Sequence, residues 1–124
     1  MPESRNSGLE GEALAHRVAE ICDERKAEDI VLYDVTGLSL LTDYYLICTG
    51  TAEPHLRGIS NQLQKQLGAE GVKPDRVDGA PDSKWIVLDY GTVLVHVFHR
   101  ELRKYYELEK LFDEDRLILG SEAD

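Results

Sequence analysis

The chain has 124 residues, 42% of them hydrophobic, which suits a single domain whose core needs neither disulfides nor a metal. Its formal net charge of -10 at pH 7 argues against nonspecific binding to nucleic acid, which relies on Lys and Arg to neutralise phosphates. The same charge suits a basic protein partner, and it also fits the simpler role of keeping a domain soluble.

The cysteines and the termini indicate the cellular setting. Cys22 and Cys48 lie far apart without C-x-x-C spacing, which predicts neither a zinc site nor a disulfide scaffold. The N-terminal residues lack the apolar core of a signal peptide, and no later segment approaches the roughly 18 apolar residues of a membrane span. We therefore expect a cytoplasmic protein in a reducing compartment, with no cofactor and no membrane contact.

The first half of the chain predicts one helix followed by two strands. Ser7–Glu10 has capping-box spacing, and apolar residues then recur at helical intervals to about Lys26. Residues 29–35 and 44–49 are apolar and aromatic runs of strand length. Since only the loop 36–43 separates them, these two strands could pair as neighbours.

The second half predicts two helices and three strands. Pro54 suits the first turn of a helix with an apolar stripe. Residues 72–77, interrupted by a proline, can form at most a short edge strand. A hairpin over 85–99 and a last helix over 100–112 follow. This order predicts an α/β fold, with a mixed β-sheet and helices mainly on one face.

The hairpin predicted for Trp85–His99 has two chemically different faces. A two-residue loop, Tyr90–Gly91, would pair Trp85 with His96. One face is then aliphatic: Ile86, Leu88, Val93, Val95 and Val97. The other face carries Trp85, Val87, Asp89, Thr92, Leu94, His96 and Phe98. If the helices cover the aliphatic face, the Trp85 face is left open for a partner.

The sequence offers little support for a catalytic site. His96 and His99, three residues apart on a strand, point to opposite faces and cannot chelate one ion. The Thr49–Thr51 turn between a strand and a helix could hold an anion, but the Gly-rich phosphate motifs are missing. The only Asp-x-Asp spacing, at 113–115, lies outside the predicted sheet. A nucleotide-binding or nucleotidyl-transfer enzyme remains the alternative interpretation.

Individual side chains on and near the Trp85 face have both structural and functional interpretations. Asp78 and Asp89 lie at strand ends or turns, where a carboxylate either caps a turn or faces a cationic partner. Trp85, flanked by Asp and His, has the composition of an interface hot spot, although a tryptophan is more often part of a core. The all-aliphatic opposite face favours the interface interpretation.

Several blocks in the same order resemble the ribosomal silencing factor family, also called Iojap-like. They are Asp29-Ile-Val-Leu-Tyr-Asp-Val35, Leu41-Thr-Asp-Tyr-Tyr-Leu-Ile-Cys-Thr-Gly-Thr51, Trp85-Ile-Val-Leu-Asp-Tyr-Gly91, Val95-His-Val-Phe-His99 and Tyr106-Glu-Leu-Glu-Lys-Leu111. The resemblance implies a nucleotidyltransferase-like topology without transferase activity. It also implies a silencing-factor domain, which we place at residues 9–112, between a flexible N-terminus (1–8) and an acidic C-terminal tail (113–124).

The resemblance further implies a partner. Family members bind the large ribosomal subunit through its basic ribosomal protein numbered fourteen, block joining of the small subunit, and repress translation when nutrients are limiting. Direct sequence-specific binding to nucleic acid is not expected, whereas a homodimer through the same face is possible.

The resemblance also carries interface residues onto this chain. It implies that Trp85, Asp89 and Tyr90 contribute to the interface, with Asp78 and His96 as neighbours, and the hairpin register adds Val87 to this face. Thr92 replaces an Asp that is common in the family. That replacement removes one carboxylate from the expected surface.

Overall fold

The computed structural model describes residues 9–79, 82–106 and 108–120. Within these residues the elements follow the order α1 Gly11–Glu24, β1 Glu28–Asp34, β2 Tyr44–Gly50, α2 Glu53–Ala69, β3 Arg76–Asp78, β4 Trp85–Asp89, β5 Val93–His99, α3 Arg100–Tyr106 and β6 Leu117–Leu119. Two short 3₁₀ turns, Leu108–Leu111 and Glu114–Arg116, precede β6. The segment 1–8, expected to be flexible, lies outside the described residues. None of the helices in the described ranges is long and apolar enough to cross a membrane.

The strands form one mixed sheet in the order β3-β4-β5-β2-β1-β6. The central pair, β2 and β5, is parallel, whereas the other neighbours are antiparallel. A parallel pair needs a crossover connection, and α2 supplies it here before the chain returns through β3 and β4. The predicted α/β class and mixed sheet are confirmed.

The main core lies between the sheet and the helices α1 and α2. The aliphatic face predicted for the hairpin is buried there, as are the apolar stripes of both helices. Cys22 of α1 and Cys48 of β2, distant in sequence, meet in this core with their free sulfur atoms 3.9 Å apart. Both cysteines therefore serve as buried core residues.

The hairpin register differs from the predicted one by two residues. Trp85 pairs with Phe98, and Val87 pairs with His96. The Tyr90 N–H donates to the Val93 carbonyl at 2.9 Å, which leaves Gly91 and Thr92 as the two loop residues. Gly91, at φ +82°, occupies the first loop position, where the left-handed region favours glycine. Because the shift is two residues, each side chain in the strands keeps its predicted face.

The second face of the sheet is only partly open, which corrects the expectation of a fully exposed Trp85 face. A second apolar cluster buries Val31, Tyr33, Val35, Ile47 and Phe98 against half-buried residues that include Leu102, Phe112 and Leu117. After β5, the chain folds back over β1 and β2, whose side chains on this face are large and apolar. The β3–β4–β5 half of the face is the part available to a partner.

The C-terminal boundary predicted at residue 112 is too early. Residues 117–119 form strand β6, which pairs antiparallel with β1 through Leu32 and Leu119 and through Tyr33 and Leu117. The last helix, predicted to run to residue 112, ends at Tyr106. A short apolar triplet can form a strand when a sheet edge is available beside it, so this part of the acidic segment belongs to the fold.

Helix α1 begins at Gly11, later than the capping-box spacing predicts, and Ser7 lies outside the described residues. Glu10 is the N-cap residue and makes no side-chain cap hydrogen bond. Instead, the Gly11 N–H donates to Thr92 Oγ1 at 2.9 Å. Thr92 therefore caps α1 from the hairpin turn and does not belong to the Trp85 face, contrary to its predicted place.

Removing this hydroxyl should weaken the attachment of α1. Thr92→Val leaves the Gly11 N–H without its acceptor, and we expect it to lower the free energy of unfolding by about 1 kcal/mol. Thr92→Ser keeps the hydroxyl and should retain most of the stability. Urea denaturation of both variants tests this, and equal stabilities for the two would contradict the proposed cap.

Candidate functional site

Cross-strand pairing arranges the exposed half of the second face in short rows. Asp78 lies beside Val87, and Arg76 lies beside Asp89, which pairs in turn with Leu94. Trp85, Val87, Asp89 and Leu94 are half-buried, whereas Arg76 and Asp78 on the edge strand β3 are exposed. These six residues form what we call the Trp85 surface.

The Trp85 indole is held by two neighbours on β5. It packs against its cross-strand partner Phe98, with ring centroids 4.7 Å apart. The indole Nε1–H also donates a 3.1 Å hydrogen bond to His96 Nδ1, and His96 in turn contacts Tyr45 with ring centroids 5.0 Å apart. Because both ring packing and a hydrogen bond fix it, the half-exposed indole has little rotamer freedom to lose on binding.

His96 supports this arrangement from below the surface. His96 is only 6% exposed, and burial lowers the pKa of its imidazole from the ordinary value of 6.5 to about 4. The ring is therefore neutral at pH 7, and since Nδ1 accepts from Trp85, the proton is on Nε2. Among the described residues, Nε2 has no hydrogen-bond partner. The position indicates that His96 orients Trp85.

The acidic residues predicted for the site are at its edges. Asp89 Oδ1 accepts the Gly91 N–H at 2.9 Å, so this carboxylate stabilises the turn while its residue stays half-buried on the surface. Asp78 is exposed and lies 4.0 Å from Arg76 Nη1, a distance at which a surface ion pair contributes little. Both carboxylates can therefore face a cationic partner.

Tyr90 lies apart from the other predicted residues. It is 8% exposed and packs in the main core, on the helix-covered side of the sheet. Burial raises the pKa of its hydroxyl to about 12. Tyr90 continues the alternation of Ile86 and Leu88 and therefore shares their buried face, opposite to Trp85. Tyr90 does not extend the Trp85 surface.

The turn considered as an anion site, Thr49–Thr51, is occupied by internal contacts. The Thr51 N–H donates to His55 Nδ1 at 3.0 Å, and His55 Nε2 lies 2.7 Å from the Arg25 carbonyl oxygen. A Cβ on Gly50 would lie 2.5 Å from Leu56 Cδ1. Gly50 thus allows α2 to pack closely on the sheet, and His55 ties the start of α2 to the end of α1.

Two contributors to the second face were not identified as such from the sequence. Tyr45 on β2 borders His96, and Phe112 packs edge-on against Tyr45, with centroids 5.1 Å apart. The alternation of Tyr45, Ile47 and Thr49 along β2 was the available signal, since residues at period two share a face. Within the described ranges, no group of three or more His, Cys, Asp or Glu side chains could hold a metal ion.

Comparison with known proteins gives consistent matches along almost the whole chain. A family model described as "Ribosomal silencing factor during starvation" matches residues 9–124. The ribosomal silencing factor of Bacillus subtilis is 39% identical over 94 residues, which cover 76% of this chain and 80% of that protein. A mouse protein named "Mitochondrial assembly of ribosomal large subunit protein 1" is 30% identical over 92 residues, covering 72% of this chain and 40% of that protein.

A solved structure shares the fold. A crystal structure from Bacillus halodurans superposes with a TM-score of 0.77 at 34% sequence identity. The match covers 88% of this chain and 99% of that one. At this coverage, the similarity extends to the whole arrangement of sheet and helices.

The buried His96 predicts a specific dependence of stability on pH. In the unfolded state His96 binds a proton below about pH 6.5, whereas in the folded state burial prevents protonation until about pH 4. The free energy of unfolding therefore falls as the pH decreases through this window. Between pH 7 and 4.5, we expect His96 to contribute a loss of about 2 kcal/mol in the free energy of unfolding. His96→Asn removes the titrating ring and should show a correspondingly smaller loss.

Urea denaturation at the two pH values measures this difference. The carboxylates titrate in both proteins, so the wild type minus His96→Asn comparison isolates one histidine. His16→Asn, at an exposed position on α1, controls for the removal of an imidazole. Identical losses in the wild type and His96→Asn would show that burial does not hold His96 neutral.

Proposed function

The chain belongs to the ribosomal silencing factor family, and from this membership we propose that it binds the large ribosomal subunit in the cytoplasm and blocks joining of the small subunit. Binding would be through the basic ribosomal protein numbered fourteen, and the result would be repression of translation under nutrient limitation. Members of the family are named as silencing factors, which are regulators rather than enzymes. Obstruction of a subunit interface requires only a folded domain held in the right place.

The observation that carries this proposal is the fixed, half-exposed indole of Trp85. Hot spots of protein interfaces are enriched in tryptophan, and they lie in well-packed surroundings. Trp85 has such surroundings, because Phe98 packs against its ring and His96 accepts its N–H. Val87 is the next residue on the same face of β4, and Leu94 lies opposite Asp89 at the other end of the hairpin; both are half-buried. This composition supports a protein-binding surface.

Charge supports a basic partner. The chain carries a formal net charge of -10, and Asp78 and Asp89 lie on the Trp85 surface itself. Complementary charge accelerates encounter and selects partners, while the apolar centre slows dissociation. The large subunit is rich in RNA phosphate, which repels an acidic protein. A basic protein of that subunit is therefore the better target.

The alternative of a nucleotide-binding or nucleotidyl-transfer enzyme has no comparable support. The backbone N–H of Thr51, which an anion would need, already donates to His55. Gly50 is explained by its close approach to Leu56. The family names describe regulation rather than catalysis.

Trp85→Ala should weaken binding to the large subunit. Loss of a hot-spot tryptophan costs about 2 kcal/mol or more, which is roughly a thirtyfold increase in Kd. Cosedimentation with purified large subunits measures the effect, and circular dichroism establishes that the variant is folded. Lys65→Ala, an exposed position on α2, is the matched control and should bind as the wild type does. Unchanged binding of folded Trp85→Ala would refute the role of this surface.

The order of addition should matter in a subunit-joining assay. We expect joining to be inhibited when the protein is preincubated with large subunits, and to be restored by Trp85→Ala. Preincubation with small subunits, followed by removal of unbound protein, should leave joining intact. Inhibition through the small subunit would mean that the proposed target is wrong.

A further inference from the structure

The loop between β1 and β2 presents three exposed leucines. Leu38 is 57% exposed, Leu40 105% and Leu41 75%, and they lie within the eight residues Thr36–Asp43. We call this segment the leucine loop. Single exposed leucines are ordinary, but several together form an apolar patch of the kind that marks an interaction site.

Local hydrogen bonds give the leucine loop a defined shape. The Leu38 N–H donates to the Val35 carbonyl at 2.9 Å, and the Leu41 N–H donates to Ser39 Oγ at 3.0 Å. At the start of the loop, the Thr36 N–H donates to Asp34 Oδ1 at 2.9 Å. These hydrogen bonds hold the loop backbone in place while the leucine side chains remain in solvent.

The leucine loop borders the Trp85 surface. The N–H groups of Asp43 and Tyr44 both donate to the Thr92 carbonyl, at 3.2 and 3.0 Å. Thr92 belongs to the hairpin turn that follows Asp89, a member of the Trp85 surface. These hydrogen bonds place the end of the loop next to the Asp89 end of that surface, at the opposite end of β4 from Trp85.

Carboxylates frame the exposed leucines. Asp34 and Asp43 lie at the two ends of the loop, and the Thr36 N–H that bonds Asp34 lowers the pKa of this carboxyl, which is therefore ionised at neutral pH. Arg116 Nη1 also donates to the Thr36 carbonyl at 3.4 Å, so one cation lies beside the loop together with the two carboxylates. An apolar patch with this excess of negative charge is complementary to an apolar pocket with basic residues at its rim. RNA does not fit, because its phosphates would meet carboxylates.

We propose that the leucine loop is a second contact for the same subunit-bound partner, with its leucines seated in an apolar pocket of a basic protein surface. This inference rests on the proposed function and adds a specific second docking element to it. The leucine loop and the Asp89 end of the Trp85 surface lie at the same end of the sheet, whereas Trp85 lies at the other end of β4. A partner that contacts both would therefore lie along the length of the β4–β5 hairpin.

A double variant, Leu40→Ser with Leu41→Ser, tests the proposal. Both side chains are exposed in the free protein, so the fold should be retained. We expect the Kd for purified large subunits to rise at least tenfold in quantitative cosedimentation. Leu111→Ser, at a leucine that is 66% exposed outside the loop, is the matched control and should leave the Kd unchanged.

Parallel measurements on Trp85→Ala separate this inference from the proposed function. If Trp85→Ala weakens binding and the double variant does not, the leucine loop is not a contact, while the proposed function stands. If neither variant weakens binding, neither the leucine loop nor the Trp85 surface is a contact. Failure of the wild-type protein to bind large subunits would instead overturn the proposed function itself.

Two further measurements identify the occupant of the leucine loop. Sedimentation equilibrium of the free protein reports self-association. A dimer that the double variant converts to a monomer, with subunit binding unchanged, would assign the loop to a second copy and overturn the proposal. Binding of wild-type protein to protein-free ribosomal RNA that is lost in the double variant would assign the loop to RNA, with the same consequence.

Discussion

The parallel pairing of β2 with β5 at the centre of the sheet determines what each face carries. Since a parallel pair cannot be joined by a tight turn, the chain must cross over one face, and α2 lies there together with α1. That crossover buries the aliphatic side of the β4–β5 hairpin. The opposite side of the hairpin lies beyond the reach of both helices, and there Trp85 stays half-exposed.

The aromatic group on the second face follows from strand periodicity and one hydrogen bond. Trp85 and Phe98 are direct partners across β4 and β5, whereas His96 is Trp85's diagonal neighbour. The long indole reaches that diagonal position, which a shorter side chain could not. Burial keeps His96 uncharged at neutral pH, so that it accepts a hydrogen bond from Trp85 and adds no positive charge to an acidic surface.

Much of this could be predicted from the sequence, because period-two alternation tolerates a register shift of two residues. The predicted faces of the hairpin are correct, although the predicted pairing of Trp85 with His96 is wrong. The pairing differs because Gly91 takes a positive φ at the first position of the turn. The burial of Tyr90 follows the same alternation as Ile86 and Leu88. In contrast, β6 depends on an edge that only the folded sheet provides. Contacts that form between distant segments leave no local pattern in a sequence.

Charge and apolar surface must act together in the proposed interface. An acidic domain that approaches an RNA-rich particle meets repulsion over most of its surroundings, and salt screens this repulsion as well as the attraction to basic proteins. Electrostatics can therefore select the binding site on the particle but supply only part of the affinity. Short-range apolar contact is not screened, and it is available at Trp85 and in the leucine loop. The two apolar anchors lie at opposite ends of the β4–β5 hairpin, because the leucine loop adjoins the Thr92 turn and Trp85 pairs with Phe98. Separate anchors would also fix the orientation of the domain, which a single anchor would leave free to rotate. Steric obstruction of a second subunit requires such a fixed orientation.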